Sequence, residues 1–198
     1  MLNLLINTLY LLAMINPISK VALLTASAEE QNRDFSVLIL QSTMAAAGIL
    51  FGAMVVGDFT LRLIFRVELY SLQVAGGIVV LWAGMNALRR GRFFECDPLS
   101  RIQDVALVPL ACPMTAGPAT IAACIGLSAQ EGLPGATAAM VIALAINHAV
   151  MMLSKPIGRT LEKHNILGAI IRVTGLIVMT IGTQMVLAGL ADWFGGLS

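Results

Sequence analysis

Two dipeptides set a proline directly behind a helix-capping residue inside apolar sequence: Asn16-Pro17 in "MINPISKVALL" and Gly117-Pro118 in "MTAGPATIAAC". Proline removes a backbone donor and clashes with the preceding turn, so it breaks a continuous helix, yet it suits the first position of a new one. Asn and Gly are both accepted as the cap before it. Each motif therefore reads as the end of one half-helix and the start of another. The new start carries unpaired N–H groups and about half a positive charge, which attracts a carboxylate or another small anion. The preceding half ends in free carbonyls near Ile15 and Ala116, which suit an ammonium group or a cation. A place offering both polarities fits a zwitterionic amino acid. The candidate substrate-binding residues are Asn16, Pro17, Ile18 and Ser19 in the first motif and Gly117, Pro118, Ala119 and Thr120 in the second. In both, a hydroxyl (Ser19, Thr120) follows the proline by two residues.

Four further residues are candidates for cavity lining or ion coupling: Lys20, Thr43, Asn147 and His148. Lys20 reads first as snorkelling toward the headgroups, with a cavity-lining charge as the alternative. Asn147 and His148 fall mid-run, where polar side chains face a bundle interior; His148 suits proton transfer and interhelical hydrogen bonding equally. Gln41-Ser42-Thr43 and Gln184 read as interhelical glue. No carboxylate lies well inside an apolar run, since Asp58, Glu68 and Asp104 are near ends. The usual Asp/Glu proton relay of pumps is therefore missing, and H+ or Na+ stays open as a coupling ion. Cys96, Cys112 and Cys124 have no CxxC or zinc-like spacing. No metal, no other cofactor and no catalytic motif of a soluble enzyme is expected, and no basic cluster interleaved with aromatics suggests nucleic acid.

The elements that must hold these residues follow from composition. Apolar residues make up 58% of the 198 and charged residues 12%, and the mean hydropathy is +0.88. A soluble domain of this size cannot hide that much apolar surface, so the class is integral membrane, in contact with lipid. Apolar runs fall at about 2–28, 35–57, 69–88, 105–127, 136–156 and 166–190, each near the ~20 residues that span the hydrocarbon core. Period-2 alternation is absent, which argues against a β-barrel. The expectation is an all-α membrane protein of six transmembrane helices, helices 1 and 4 broken at mid-membrane, forming one domain over 1–198. A signal peptide ending at "ASA" (26–28) fits poorly, because Met1 to Tyr10 has no Lys or Arg and the run is too long.

With six spans, one face receives Arg33, Arg89, Arg90, Arg92, Arg101, Lys155, Arg159 and Lys163, the other only Arg62 and Arg66. The positive-inside rule makes the first face cytoplasmic and puts both termini outside, in a multi-pass protein of the cell (inner) membrane.

The chain also resembles itself. "NPISKVALLTASA" (16–28) aligns with "GPATIAACIGLSA" (117–129), and "VAGGIVVLWAGMNAL" (74–88) with "VTGLIVMTIGTQMVL" (173–187), at offsets of 101 and 99 residues. The repeats run over about 1–90 and about 103–192. Three spans per repeat is an odd number, so the second repeat must be inverted.

"AMINPISKVALL", "QVAGGIVVLWAGMNAL", "VPLACPMTAGPATIAACIGLSAQ" and "GLIVMTIGTQMVLAGL" together resemble the MarC family of small prokaryotic membrane proteins, with "PLA-P---AGP" the most distinctive piece. The resemblance spans essentially the whole chain. It implies an exporter-like fold of duplicated three-helix units and transport of small neutral amino acids such as glycine and alanine. It carries Asn16-Pro17 and Gly117-Pro118 over as the broken-helix motifs. The chain departs from the family pattern at Ala22, where many members have a second proline. An exporter or channel for a small ion or metabolite is the alternative. A membrane thiol relay, as in related superfamily folds, lacks its partner, because the repeat equivalent of Cys112 is Leu11.

Overall fold

The computed structural model describes residues 2–26, 35–59, 68–91, 115–163 and 166–195. Among them every regular element is an α-helix: α1 Leu2–Ile15, α2 Pro17–Ala26, α3 Phe35–Phe59, α4 Leu69–Arg90, α5 Pro118–Met152, α6 Ser154–Lys163 and α7 Leu167–Gly195. Five stretches of the described residues are long and apolar enough to cross a membrane: Leu2–Val21, Ser36–Gly57, Tyr70–Arg90, Pro118–Met152 and Leu167–Gly195. In lipid the backbone must satisfy its own hydrogen bonds, which is why apolar sequence of this length folds as helix. The outer surface is accordingly greasy: Leu5, Leu9, Met44, Trp82, Val173 and Ile177 are all exposed.

Residues 105–114 of the expected fourth span, with Cys96 and Cys112, lie outside the described residues. From Pro118 onward the chain is helical for 35 residues. A straight helix of that length would be about 52 Å, well beyond a ~30 Å hydrocarbon core. It is interrupted at Gly132, whose φ of 77° and ψ of 160° lie outside the range of residues with a Cβ. Pro134 sits just beyond. The two arms, 118–131 and 133–152, share one apolar cluster. Cys124 and Leu127 of the first arm meet Ala136, Met140 and Leu144 of the second in it.

The fifth apolar run ends earlier than the sequence suggests. It stops at Met152, Leu153 caps it, and α6 carries Lys155, Arg159 and Lys163 in a separate helix against α2. α4 ends at Gly91 in the left-handed region (φ 70°), its N–H returned to the Ala87 carbonyl. Arg89 and Arg90 in its last turn suit the negative end of the helix dipole.

α4 and α7 form the most intimate pair, and glycines set their distance. A Cβ on Gly77 would fall 2.7 Å from the Gly182 carbonyl oxygen, one on Gly84 2.6 Å from that of Gly175, and one on Gly189 2.7 Å from that of Tyr70. Seven residues forward in α7 are matched by seven back in α4, so the helices are antiparallel with a heptad of close backbone contacts. Small residues at such an interface drive association in lipid, where burying apolar surface does not. The 118–131 arm lies between this pair and the other helices. Ala119 and Ala122 join the α4–α7 cluster, whereas Ala123, Cys124 and Leu127 join the one with α1 and α3.

Candidate functional site

At Asn16 the chain does what the dipeptide suggests. α1 ends at Ile15, α2 starts at Pro17, and Asn16 between them has a φ of 50°. Asn is one of the few residues with a Cβ that tolerates this left-handed conformation. Its N–H closes α1 on the Leu12 carbonyl at 2.9 Å, so Asn16 ends one helix. Its Oδ1 accepts the Ser19 N–H at 3.4 Å, so it also caps the next. The Ser19 hydroxyl donates to the Asn16 carbonyl at 2.7 Å. Asn16 is 7% exposed, and its Nδ2 is buried with no hydrogen-bond partner.

At the second motif a helix starts in the same way, with a glycine as its cap. Gly117 is extended (φ −80°, ψ 168°), Pro118 takes the first helical position, and the Ile121 N–H returns to the Gly117 carbonyl. Ala119 and Thr120 are buried, while Pro118 is exposed. Ile15 and Ala116, each two residues before the proline that starts a helix, are buried in one apolar cluster, which brings the two helix starts into the same region of the bundle. Gly76 of α4 abuts the second: a Cβ there would sit 3.2 Å from the Ala122 Cβ and 3.5 Å from the Pro118 carbonyl oxygen.

Lys20 does not snorkel. It has no exposed surface, and its Nζ donates to Asn147 Oδ1 at 2.9 Å. Snorkelling presumes a helix face turned to lipid, but α2 is enclosed by α5, α6 and α7. Asn147 completes its bonding with a long contact from Nδ2 to the Met151 sulfur at 3.9 Å. The neighbouring His148 meets Thr43 of α3, Nδ1 to Oγ1, at 3.1 Å. The Thr43 hydroxyl also donates to the Ile39 carbonyl at 2.8 Å, which leaves its oxygen to accept from His148 Nδ1. Ser42 bonds the same carbonyl and is fully buried. Lys20, Thr43, Asn147 and His148 thus tie α2 and α3 to the second arm of α5.

The structure also holds polar residues that the sequence motifs do not single out. Asn7 and Tyr10 of α1, Gln73 of α4, Gln130 of α5 and Gln184 of α7 line a cavity of about 390 Å³. Ala122, Ala123 and Gly126 of the 118–131 arm form one wall. None of the residues of the two break motifs lines it, although Ala122 lies one turn beyond Pro118. Gln184, expected as interhelical glue, is exposed and faces this space. The available signal was weak: isolated amides in apolar runs, with Asn7 and Tyr10 three apart on one helix face.

No group of three His, Cys, Asp or Glu able to hold a metal occurs among the described residues. Cys124 is a free, buried thiol.

Comparison with known proteins agrees with residence in a membrane. The model of the MarC family integral membrane protein matches residues 2–194. A UPF0056 membrane protein of Pyrococcus horikoshii is 35% identical over 184 residues, covering 92% of this chain and 91% of that protein. The UPF0056 membrane protein YvbG of Bacillus subtilis is 28% identical, covering 93% and 92%. The UPF0056 inner membrane protein MarC of Escherichia coli O1:K1 / APEC is also 28% identical, covering 92% and 91%. No solved structure matches the chain significantly. With a family match that runs from the first turn of α1 to the last turn of α7, the chain belongs to the MarC family of integral membrane proteins.

Proposed function

We propose that this protein is a secondary transporter of small neutral amino acids, glycine and alanine first among them. It works without covalent chemistry, by alternating access around a mid-membrane site at the two breaks. The observation that carries this reading is the orphaned Nδ2 of Asn16, buried at the start of α2. An unpaired donor at such depth costs ~1–3 kcal/mol unless something accepts from it, and a substrate carboxylate is a fitting acceptor.

The architecture we infer is six spans in two inverted repeats. The positive φ at Gly132, between arms that share a cluster, supports reading α5 as two spans. The α4–α7 pair supports the inversion. A shift of 98 residues, one less than the 99 of the sequence alignment, carries Gly77 to Gly175 and Gly84 to Gly182, so each close contact maps onto the other with partners exchanged. A two-fold axis in the membrane plane does the same. Arg89, Arg90, Lys155, Arg159, Lys163 and the early α7 residue Arg172 make the α6 end the cytoplasmic one, with the termini outside.

The test is uptake of labelled glycine into liposomes containing the purified protein, with and without proton and Na+ gradients. Uptake is expected in the native protein and lost in Asn16→Ala and in Gly117→Leu. Undiminished uptake in both variants would remove the breaks from the site.

A further inference from the structure

The cavity between α1, the 118–131 arm, α4 and α7 is unexplained by the breaks. Its volume of about 390 Å³ lies in the range of small-molecule sites. Amides reach it from all four elements, Tyr10 adds a phenol, and no charged side chain lines it. Polar side chains at membrane depth ordinarily satisfy themselves close by. The hydroxyls of Thr8, Thr174, Thr180 and Thr183 all donate to the carbonyl four residues back. Gln73 does not follow that habit: its Oε1 is buried with no hydrogen-bond partner.

Gly126 supplies an independent observation. It lines the cavity and is buried, yet a Cβ placed on it would meet nothing within 4 Å. A glycine inside a helix costs stability relative to alanine. At Gly77, Gly84 and Gly182 that cost is offset by close backbone approach. At Gly126 no backbone approaches, and what the missing side chain leaves is open space.

We infer that this cavity is a second binding site, for a small solute without net charge that gives an N–H or O–H to Gln73 Oε1. Asn7, Gln130 and Gln184 complete its hydrogen bonds. Carboxamides donate and accept alike, so this lining serves a zwitterion as well as a neutral amide or alcohol. A lone ion would bring a charge that no residue of the wall compensates. Ala123, Leu127, Ile181 and Met185 bound the remaining space and favour short side chains. The cavity adjoins the second broken helix through Ala122, so a solute held here stands one turn from Pro118. Its role as an antechamber rests on the proposed transport; its occupancy does not.

The experiment uses the full chain in nanodiscs, with Cys96, Cys112 and Cys124 changed to Ala and Ala188→Cys, on the cavity lining, as a reporter thiol. The rate of N-ethylmaleimide labelling is measured with glycine, N-methylacetamide, acetate or methylammonium present. Glycine and N-methylacetamide are expected to slow labelling, and the two ions are not. Adding Gln73→Leu should raise the protecting concentration by about tenfold, the loss of one buried hydrogen bond. Gly126→Leu should abolish protection while the melting temperature is unchanged or higher, which separates filling of the site from misfolding. Equal protection by the ions, no protection by either neutral solute, or protection undiminished in both variants would overturn the proposal. Protection that persists in Asn16→Ala, where uptake is lost, keeps the two sites apart. Protection without glycine uptake in the native chain would sink the transport reading and leave this one standing.

Discussion

Lys20 of α2 and Asn147 of α5 meet through a 2.9 Å hydrogen bond between two side chains with no exposed surface, 127 residues apart in sequence. A buried lysine held by a neutral amide is expensive to keep and more expensive to strand. Asn147→Leu is expected to destabilise by ~1–3 kcal/mol because the ammonium or amine loses its partner. Lys20→Met removes the costly group itself, so the double variant should be more stable than Asn147→Leu alone. Thermal unfolding of the purified proteins checks this, and simple additivity of the two changes would refute the coupling.

The glycines divide into two kinds. Gly182→Ala would set a Cβ 2.5 Å from the Leu81 nitrogen and 2.7 Å from the Gly77 carbonyl oxygen. Backbone cannot yield as a side chain does, so α4 and α7 must separate, at ~1–3 kcal/mol or more. Gly52→Ala in α3 meets nothing within 4 Å and should stabilise by up to ~1 kcal/mol through helix propensity. The paired melting temperatures should therefore move in opposite directions.

At Asn16, conformation and chemistry can be pulled apart. Asn16→Gly keeps the φ of 50° at little cost. Asn16→Ala loses the cap, about 1 kcal/mol, and pays about 1 kcal/mol more for the left-handed backbone. Both remove the orphan Nδ2. The expected outcome is near-native stability for the glycine variant, lower stability for alanine, and loss of glycine uptake in both. Uptake that follows stability instead would make Asn16 a purely architectural residue.

His148 sits against Thr43 as an interhelical tie. His148→Gln can still donate to Thr43 Oγ1 and is expected to retain uptake within about twofold, whereas His148→Leu should cost ~1 kcal/mol of stability. A glutamine variant with an intact melting temperature but no uptake would reassign His148 to proton transfer.

Much of this fold is legible along the chain. Proline after a cap is a local signal, so the helix boundaries at Asn16 and Gly117 follow from neighbours alone. The apolar runs behind α3, α4 and α7 are equally local and lie within a few residues of the observed helices. The fifth run is less faithful. Read to residue 156, it takes in Ser154, Lys155 and Pro156, whereas the helix stops at Met152 and those three residues open α6.

Lys20 and the cavity mark where sequence reading stops. A lysine within an apolar run snorkels or is buried depending on which face of its helix meets protein, and composition does not record that rotation. Gln73, Gln130 and Gln184 are each unremarkable as single amides among apolar neighbours.

By itself, then, the sequence determined membrane residence, helical class and the helix starts at Pro17 and Pro118, because hydropathy and proline geometry act within a turn or two of the chain. The tertiary structure alone decided that Lys20 is paired with Asn147, that Gly77 faces Gly182, and that Asn7, Tyr10, Gln73, Gln130 and Gln184 surround one space. Those outcomes depend on the rotation of each helix about its axis and on contacts between residues a hundred or more apart, which are fixed only when the bundle closes.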